Sequence, residues 1–173
     1  MARPDDDHHD TRLRLVEEHV RLENAHDLSG VMQTFGEQAA YDDEPWEDHR
    51  RGHEAVRAYY EALLAAVPDL HIEIIERHVA ERALILEVVI TGTHLGPWRG
   101  VPATGQRVRF PLCGVYTFDG GGRLAGERIY YDRASVMRQL GLFHDPATRV
   151  GRLMTGLTHP LTLAWAYGRK LFR

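Results

Sequence analysis

The sequence predicts an α+β domain, with helices in its first half and an antiparallel sheet in its second half. Up to Pro68, apolar residues recur every three or four positions, which is the period of an amphipathic helix. From Leu70 to Asp132 they recur every second position, in runs that glycine-rich segments separate, as is typical of strands joined in a meander. At 173 residues, the chain is long enough to bury one substantial core.

Three helices are predicted before the main sheet. Leu13, Val16 and Val20 follow helical spacing, so we expect a first helix over residues 11–26. A short second helix is expected over residues 28–35. The third helix is the clearest, and its apolar stripe consists of Ala55, Val56, Tyr59, Tyr60, Leu63, Leu64 and Val67.

The strands are predicted from their alternation. Residues 39–46 suggest a short edge strand that runs into an acidic loop. Ile75 interrupts the alternation of the run that starts at Leu70, which indicates a β-bulge. The last strand ends at Asp132, and residues 136–140 then return to helical spacing.

The two ends of the chain differ from its middle. Residues 1–10 contain four Asp and two His, and we expect this leader to be disordered. Residues 144–173 predict a helical extension, in which every ionisable residue from Thr148 onward except His159 is Arg or Lys. A basic amphipathic segment can bind a membrane surface, but we expect this one to pack on the domain or on a second subunit. The domain itself is therefore assigned to residues 11–143.

Composition excludes several classes of function. A net charge of −4 argues against a nucleic-acid partner, since phosphate binding needs a basic face. The single cysteine, Cys113, excludes an intrachain disulfide and fits a reducing compartment. The first residues are polar, and no apolar run approaches the ~20 residues that span a bilayer. We therefore expect a cytoplasmic protein without a membrane partner.

Several short segments occur in an order and spacing found in a known family. They are Gly52-His53-Glu54-Ala55-Val56 with Tyr59-Tyr60, Val67-Pro68-Asp69-Leu70, Thr91-Gly92-Thr93-His94-Leu95-Gly96, Gly100-Val101-Pro102-Ala103-Thr104-Gly105, and Tyr131-Asp132 with Gln139-Leu140-Gly141-Leu142. Over residues 13–142, the chain resembles the SnoaL-like polyketide cyclase (ester cyclase) family of the nuclear transport factor 2-like superfamily.

The resemblance implies a cone, in which a curved antiparallel sheet of the cystatin-like α+β barrel type wraps around a pocket that the N-terminal helices close. It also implies a hydrophobic small-molecule ligand, no cofactor, and a homodimer that pairs through the outer face of the sheet. A pocket agrees with physical expectation, since a small curved sheet with bulky inner side chains cannot close fully, and apolar pockets with a few polar groups bind ligands.

Asp132 is the candidate catalytic residue. The resemblance implies that an aspartate at this position acts as acid and base when family members close polyketide rings by an aldol reaction. An apolar surrounding would raise the pKa of such a carboxyl group towards neutrality. From the residues alone, the alternative is that Asp132 caps the helix over residues 133–140, because it stands between a strand and a helix. The two roles do not exclude each other.

The candidate substrate-binding residues are mostly aromatic. They are Tyr41, Asp42, Trp46, Tyr60, His94, Phe110, Tyr116 and Tyr130. Five of them have a plainer alternative: a solvated acidic loop for Tyr41 and Asp42, core packing for Trp46 and Tyr60, and an exposed loop for His94. Strand alternation places Tyr130 on the same face as Asp132, opposite Tyr131.

No metal site is predicted. His49 and His53 are four residues apart, but Gly52 between them argues against the helix that this spacing would need. Arg99 could belong to an Asp-Arg-Asp arrangement like that of the epoxide hydrolases of this fold. No Asp lies two positions away, so epoxide opening is not expected.

Three functions remain as hypotheses. The first is a cofactor-free cyclase (or an isomerase or lyase) that acts on a hydrophobic, polyketide-like carbonyl compound through Asp132. The alternative is a non-catalytic small-molecule-binding protein that uses the same cavity, since fold alone does not decide function. The third is association through the basic C-terminal helices.

Overall fold

In a computed structural model, residues 4–171 are described, with the side chains of residues 9–166, 168 and 169. The helices are α1 (Pro4–Asn24), α2 (Leu28–Thr34), α3 (His53–Ala66), α4 (Arg133–Gln139), α5 (Arg149–Thr158) and α6 (Pro160–Leu171). The strands are β1 (Ala40–Asp43), β2 (Asp48–Arg51), β3 (His71–Val79), β4 (Ala83–Thr93), β5 (Arg107–Phe118) and β6 (Leu124–Tyr131), and a 3₁₀ turn covers Glu44–Trp46.

The predicted α+β fold is confirmed, with two corrections to the sheet. Its six strands lie in the order β2-β1-β6-β5-β4-β3, and the meander from β3 to β6 is antiparallel. However, β1 runs parallel to β6, where Tyr41 lies opposite Glu127, so the sheet is mixed. Local alternation cannot reveal this pairing, because the two strands are far apart in the sequence. The sheet also stays open, with β2 and β3 as its edges, rather than closing as a barrel.

Two irregularities increase the twist of the meander. The register between β3 and β4 shifts between Ile74 and Glu76, which confirms the predicted bulge at Ile75. A second shift lies between Thr117 and Phe118. Bulges bend a strand and increase its right-handed twist, so both contribute to the concave inner face.

The core lies between this inner face and the first three helices. Val16 and Val20 from α1 and Val56 from α3 are buried against Leu84 and Leu86 of β4. At the end of α1, Asn24 exchanges two hydrogen bonds with the backbone of Ile72, so that α1 holds edge strand β3. Alternate residues of β4 are buried because they all face the helices.

Both ends of the described chain are helical. Helix α1 begins at Pro4, within the leader that we expected to be disordered, and residues 1–3 lie outside the described part. The C-terminal extension is helical, as α5 and α6, with residues 172–173 outside the described part. Among the described elements, these two helices contact mainly each other. Over residues 4–171, no helix is both long and apolar enough to span a bilayer.

Truncating the inner face of β4 should destabilise the fold. Leu86 is completely buried, so Leu86→Ala should lower the free energy of unfolding by about 2–5 kcal/mol through lost burial and a residual cavity. Urea titration measures this change. The matched control is Ile75→Ala at the bulge, where the side chain is 52% exposed and the expected loss is about 0.5 kcal/mol. Equal losses for the two variants would contradict the placement of β4.

Candidate active site

An apolar cavity of about 120 Å³ lies between the inner face of the sheet and the helices. Helix α4 covers part of it with Val136, Met137 and Leu140. These side chains are half-buried, as are those of Trp46 and Trp98 in the same wall. The walls therefore suit a hydrophobic ligand.

Four buried polar side chains meet beside this cavity: His19, Glu23, Tyr60 and Glu127, here called the inner cluster. His19 and Glu23 are four residues apart on α1 and therefore share one helix face. The Tyr60 hydroxyl of α3 donates a hydrogen bond of 2.9 Å to Oε2 of Glu127 on β6. The His19 Nε2 atom lies 3.4 Å from Glu127 Oε2 and 3.7 Å from Glu23 Oε1. Glu23 and Glu127 also line the cavity.

Thr34 orients the imidazole of His19. Its hydroxyl donates to the carbonyl oxygen of Val31 at 2.6 Å, so its oxygen accepts from Nδ1–H of His19 at 2.7 Å. The other ring nitrogen is thereby directed at the two carboxylates. Burial by itself lowers the pKa of His19, but the charges of Glu23 and Glu127 outweigh it and raise that pKa above its ordinary value.

Glu23 is the carboxyl group most suited to proton transfer. Burial raises the pKa of Glu23 to about 7, and the charge of Glu127 adds to this effect, although the charge of His19 and a hydrogen bond with Tyr60 oppose it. Its Oε2 atom is buried and has no hydrogen-bond partner within residues 4–171. A carboxyl group with a pKa near 7 can both take up and release a proton at neutral pH.

His94 adds a hydrogen-bond donor to the cavity wall. Its Nδ1 atom accepts from the backbone N–H of Thr104 at 3.3 Å, so a neutral ring carries its hydrogen on Nε2. That Nε2 atom is buried and has no partner among the described residues. The loop is held against α3, because the N–H groups of Leu95 and Gly96 both donate to the carbonyl oxygen of Ala66. A Cβ at Gly96 would lie 2.2 Å from the Ala65 carbonyl oxygen, so the close approach requires glycine.

Arg99 joins two aspartates at the aromatic side of the cavity. It pairs with Asp43 at 3.0 Å and also with Asp48. Asp43 accepts a further hydrogen bond of 3.0 Å from the Tyr59 hydroxyl. Burial raises the pKa of Asp43, although Tyr59 and Arg99 oppose the shift. The guanidinium packs over Trp98, 4.8 Å from the ring centroid, and fixes that wall.

Arg99 thus lies between two aspartates, an arrangement that the sequence spacing did not predict. The sequence places no Asp two positions away, yet strands β1 and β2 bring Asp43 and Asp48 to both sides of the guanidinium. The pairs are made between distant segments, which is why local spacing did not show them.

Among the residues whose side chains are described, two groups have side chains of the types that metal ions prefer. The ligand atoms of His19, Glu23 and Glu127 lie within 4.8 Å of one another, and so do those of Asp42, Glu44 and His49. In the second group, Arg51 pairs with Asp42 at 2.6 Å, and Arg128 lies 3.2 Å from Glu44, so arginines already balance the carboxylates. In the first group, His19 and Tyr60 supply the counter-charge and the hydrogen bond.

The SnoaL-like polyketide cyclase family model matches residues 13–140, most of the chain. The chain belongs to this family. A search of curated proteins found no significant match.

Solved structures share the fold of this chain. AclR, a putative hydroxylase from Streptomyces galilaeus, is 26% identical with a TM-score of 0.68, over 79% of this chain and 99% of that one. A protein with a ketosteroid isomerase-like fold from Catenulispora acidiphila is 18% identical with a TM-score of 0.64, over 74% and 92%. The epoxide hydrolase/cyclase-like enzyme SalBIII is 21% identical with a TM-score of 0.62, over 72% and 92%.

Five of the predicted substrate-binding residues line the cavity of this SnoaL-like domain. They are Tyr41, Trp46, His94, Phe110 and Tyr116.

The other three predicted binding residues lie elsewhere. Tyr60 is buried in the inner cluster, beside the cavity rather than in its wall. Asp42 bonds to His49 at 2.8 Å and to Arg51 on the outer side. Tyr130 is 44% exposed, because β6 directs it away from the helices.

Asp132 also lies outside the cavity, which corrects its predicted role. Its side chain is exposed, and Oδ1 accepts a hydrogen bond of 2.9 Å from the N–H of Ala134 as the N-cap of α4. The alternation in β6 was predicted correctly, but the inner face is the one with Glu127, Ile129 and Tyr131. The strand therefore points Glu127 inward, and Asp132 keeps the capping role that was its alternative.

Sequence reasoning missed Glu23, Glu127 and His19. A signal was present on α1, where His19 and Glu23 share the helix face of the buried Val16 and Val20. Two ionisable residues on a core-facing stripe indicate a buried polar network. Glu127 could have been found in the same way, since it alternates with Ile129 and Tyr131.

Asp132 should act through helix capping. Asp132→Ala should lower the free energy of unfolding by about 1 kcal/mol, because the N–H of Ala134 loses its acceptor. Asp132→Asn keeps an acceptor at the cap and should stay within about 0.5 kcal/mol of the wild type. Urea titration and amide exchange over α4 measure both effects. Equal stability of the Ala variant and the wild type would contradict the cap.

The raised pKa of Glu23 should make stability depend on pH. The folded pKa is about 7 and the ordinary value is 4.5, so protonation of Glu23 stabilises the fold at low pH, and this contribution is lost as the pH rises through about 7. Glu23→Gln cannot ionise, so it does not lose this contribution. The free energy of unfolding of the variant minus that of the wild type should therefore increase by about 2 kcal/mol between pH ~5 and pH ~8.

Urea titrations at the two pH values test this, with Glu18→Gln as the control. Glu18 lies on the same helix but is 48% exposed, and its hydrogen bond to Arg21 lowers rather than raises its pKa. If the stability difference between Glu23→Gln and the wild type is the same at both pH values, Glu23 does not titrate near neutrality.

Proposed function

We propose that this SnoaL-like protein is a cofactor-free cyclase or isomerase of a hydrophobic carbonyl compound, with Glu23 as its acid and base. The observation that carries the proposal is the Glu23 carboxyl group itself. It is buried in the wall of an apolar cavity, its Oε2 atom has no partner among the described residues, and its pKa is raised to about 7. Glu23 takes the role that the sequence had assigned to Asp132.

The walls of the cavity define the class of substrate. Aromatic side chains such as Tyr41, Phe110 and Tyr116 suit a flat, hydrophobic molecule. Family membership favours a polyketide-like compound. Among the similar structures, SalBIII has a role in pyran ring formation in the polyether salinomycin.

In the proposed reaction, protons move and no electrons are gained or lost overall. The Glu23 carboxylate removes a proton next to a carbonyl group, and the carbon–hydrogen electron pair forms an enolate. The Nε2–H of His94 stabilises the developing negative charge on the oxygen. The enolate carbon then bonds to a second carbonyl carbon of the same molecule, and the resulting alkoxide takes the proton back from Glu23. For an isomerase, the same proton returns to a different carbon.

The remaining inner-cluster residues set the state of Glu23. Glu127 raises the pKa of Glu23 through its charge, and the hydrogen bond from Tyr60 holds Glu127 in place. His19 opposes the rise and keeps the pKa of Glu23 within reach of neutral pH. These three act as positioning residues and need not touch the substrate.

The second candidate is a non-catalytic carrier. The extent of apolar and aromatic wall favours it, because a cavity of this kind binds a hydrophobic molecule whether or not chemistry follows. The two candidates predict different effects of removing the Glu23 carboxylate. An enzyme would lose its reaction, whereas a carrier would still bind its ligand.

Glu23→Gln should remove proton transfer. With 2-tetralone as the probe in D₂O, the wild type should exchange the protons next to the carbonyl group, with a rate that rises as the pH increases through about 7, because the carboxylate is the active form. The variant should be slower by about 100-fold or more. Proton NMR follows the exchange.

Asp132→Asn and Glu18→Gln are the matched controls, since each removes a carboxylate outside the cavity. Both should keep the wild-type rate. Binding of 2-tetralone without exchange by the wild type would favour the carrier. The wild type could instead retain a stoichiometric divalent metal that Glu23→Gln does not bind. That result would make the inner cluster a metal centre and overturn the proposal.

A further inference from the structure

Helices α5 and α6, which only His159 separates, are here called the C-terminal hairpin, and several of their large apolar side chains are exposed. Thr148 caps α5 by accepting a 2.9 Å hydrogen bond from the N–H of Gly151. Leu153 and Leu157 of α5 are 65% and 67% exposed. Leu161 and Trp165 of α6 are 84% and 65% exposed. Each pair is four residues apart, so each helix presents an apolar stripe to its surroundings.

The hairpin belongs to neither the core nor the cavity. Its helices contact mainly each other, and neither lines the cavity. Large apolar side chains exposed in a contiguous patch indicate a binding surface. The two stripes are therefore a candidate surface for a partner.

The charge of the hairpin favours an anionic partner over a second copy of the hairpin. Residues 148–173 carry five Arg or Lys and no Asp or Glu, whereas residues 1–147 carry the other 16 basic and all 25 acidic residues. A symmetric contact between two hairpins would place basic surface against basic surface, which is unfavourable. An anionic surface complements the charge of the hairpin and also accepts its apolar side chains.

The positions of the basic residues agree with such a surface. Arg149 and Arg152 flank the apolar stripe of α5 on one side, as helical spacing of 100° per residue requires. Arg169 stacks on Trp165 at 4.7 Å from the ring centroid. Tryptophan beside arginine, next to exposed leucine, is typical of helices that lie in the interface of a bilayer.

We propose that the C-terminal hairpin binds the surface of an anionic phospholipid bilayer, with its leucines and Trp165 in the interface and its arginines at the lipid phosphates. This proposal differs from the expectation, made from the sequence, of a protein without a membrane partner. The inference is independent of the proposed reaction, since the cavity and the inner cluster lie in residues outside the hairpin.

Co-sedimentation of the full chain with vesicles tests the proposal. The wild type should bind phosphatidylcholine vesicles that contain phosphatidylglycerol and should bind vesicles of phosphatidylcholine alone about tenfold more weakly. High salt should release it, because part of the attraction is electrostatic. The double variants Leu153→Ser/Leu157→Ser and Arg149→Gln/Arg152→Gln should each weaken binding by about tenfold.

Matched controls carry the same kinds of substitution on the domain. Ile75→Ser removes an exposed apolar side chain of β3, and Arg109→Gln removes an exposed arginine of β5. Both controls should bind as the wild type does. Absence of binding to the anionic vesicles, or equal binding by all variants, overturns the proposal. A change of oligomeric state caused by Leu153→Ser/Leu157→Ser without vesicle binding assigns the hairpin to a second copy instead.

Discussion

One imidazole between two carboxylates is the interaction on which the site depends. His19 lies within 4 Å of both Glu23 and Glu127, and all three side chains are buried. Removing two carboxylates from water is costly unless a positive charge or hydrogen-bond donors accompany them. Because His19 comes from α1 and Glu127 from β6, the same contacts that make this burial possible also hold the first helix on the sheet.

The two carboxylates of the inner cluster differ in how far their oxygen atoms are hydrogen-bonded. Tyr60 and His19 satisfy one oxygen of Glu127, while Oε2 of Glu23 has no partner in the described part of the chain. A fully satisfied carboxylate has a low pKa and exchanges no proton at neutral pH, whereas an under-satisfied buried one has its pKa raised. The site thus combines a stable fold with a group that can be protonated or deprotonated, which is common at functional sites.

The architecture keeps the cavity open beside this cluster. The sheet does not close, so its inner face needs covering, and α4 and the aromatic side chains around Arg99 provide the cover. Arg99 draws Asp43 and Asp48 together and so fixes the wall formed by Trp98. Asp132, as the cap of α4, contributes to the cavity by placing a helix rather than by moving a proton.

Local patterns in the sequence determined the elements of this protein. Apolar periodicity predicted α3, the strands of the meander and the bulge at Ile75, because helical and strand spacing follow directly from backbone geometry. The family was also recognisable, since its segments keep their order along the chain. Only the tertiary structure decided which face of β6 turns inward, that β1 lies parallel to it, and that Glu23 rather than Asp132 meets the cavity. Alternation defines two faces of a strand but does not label them, and contacts between distant segments leave no local period, so these decisions belong to packing.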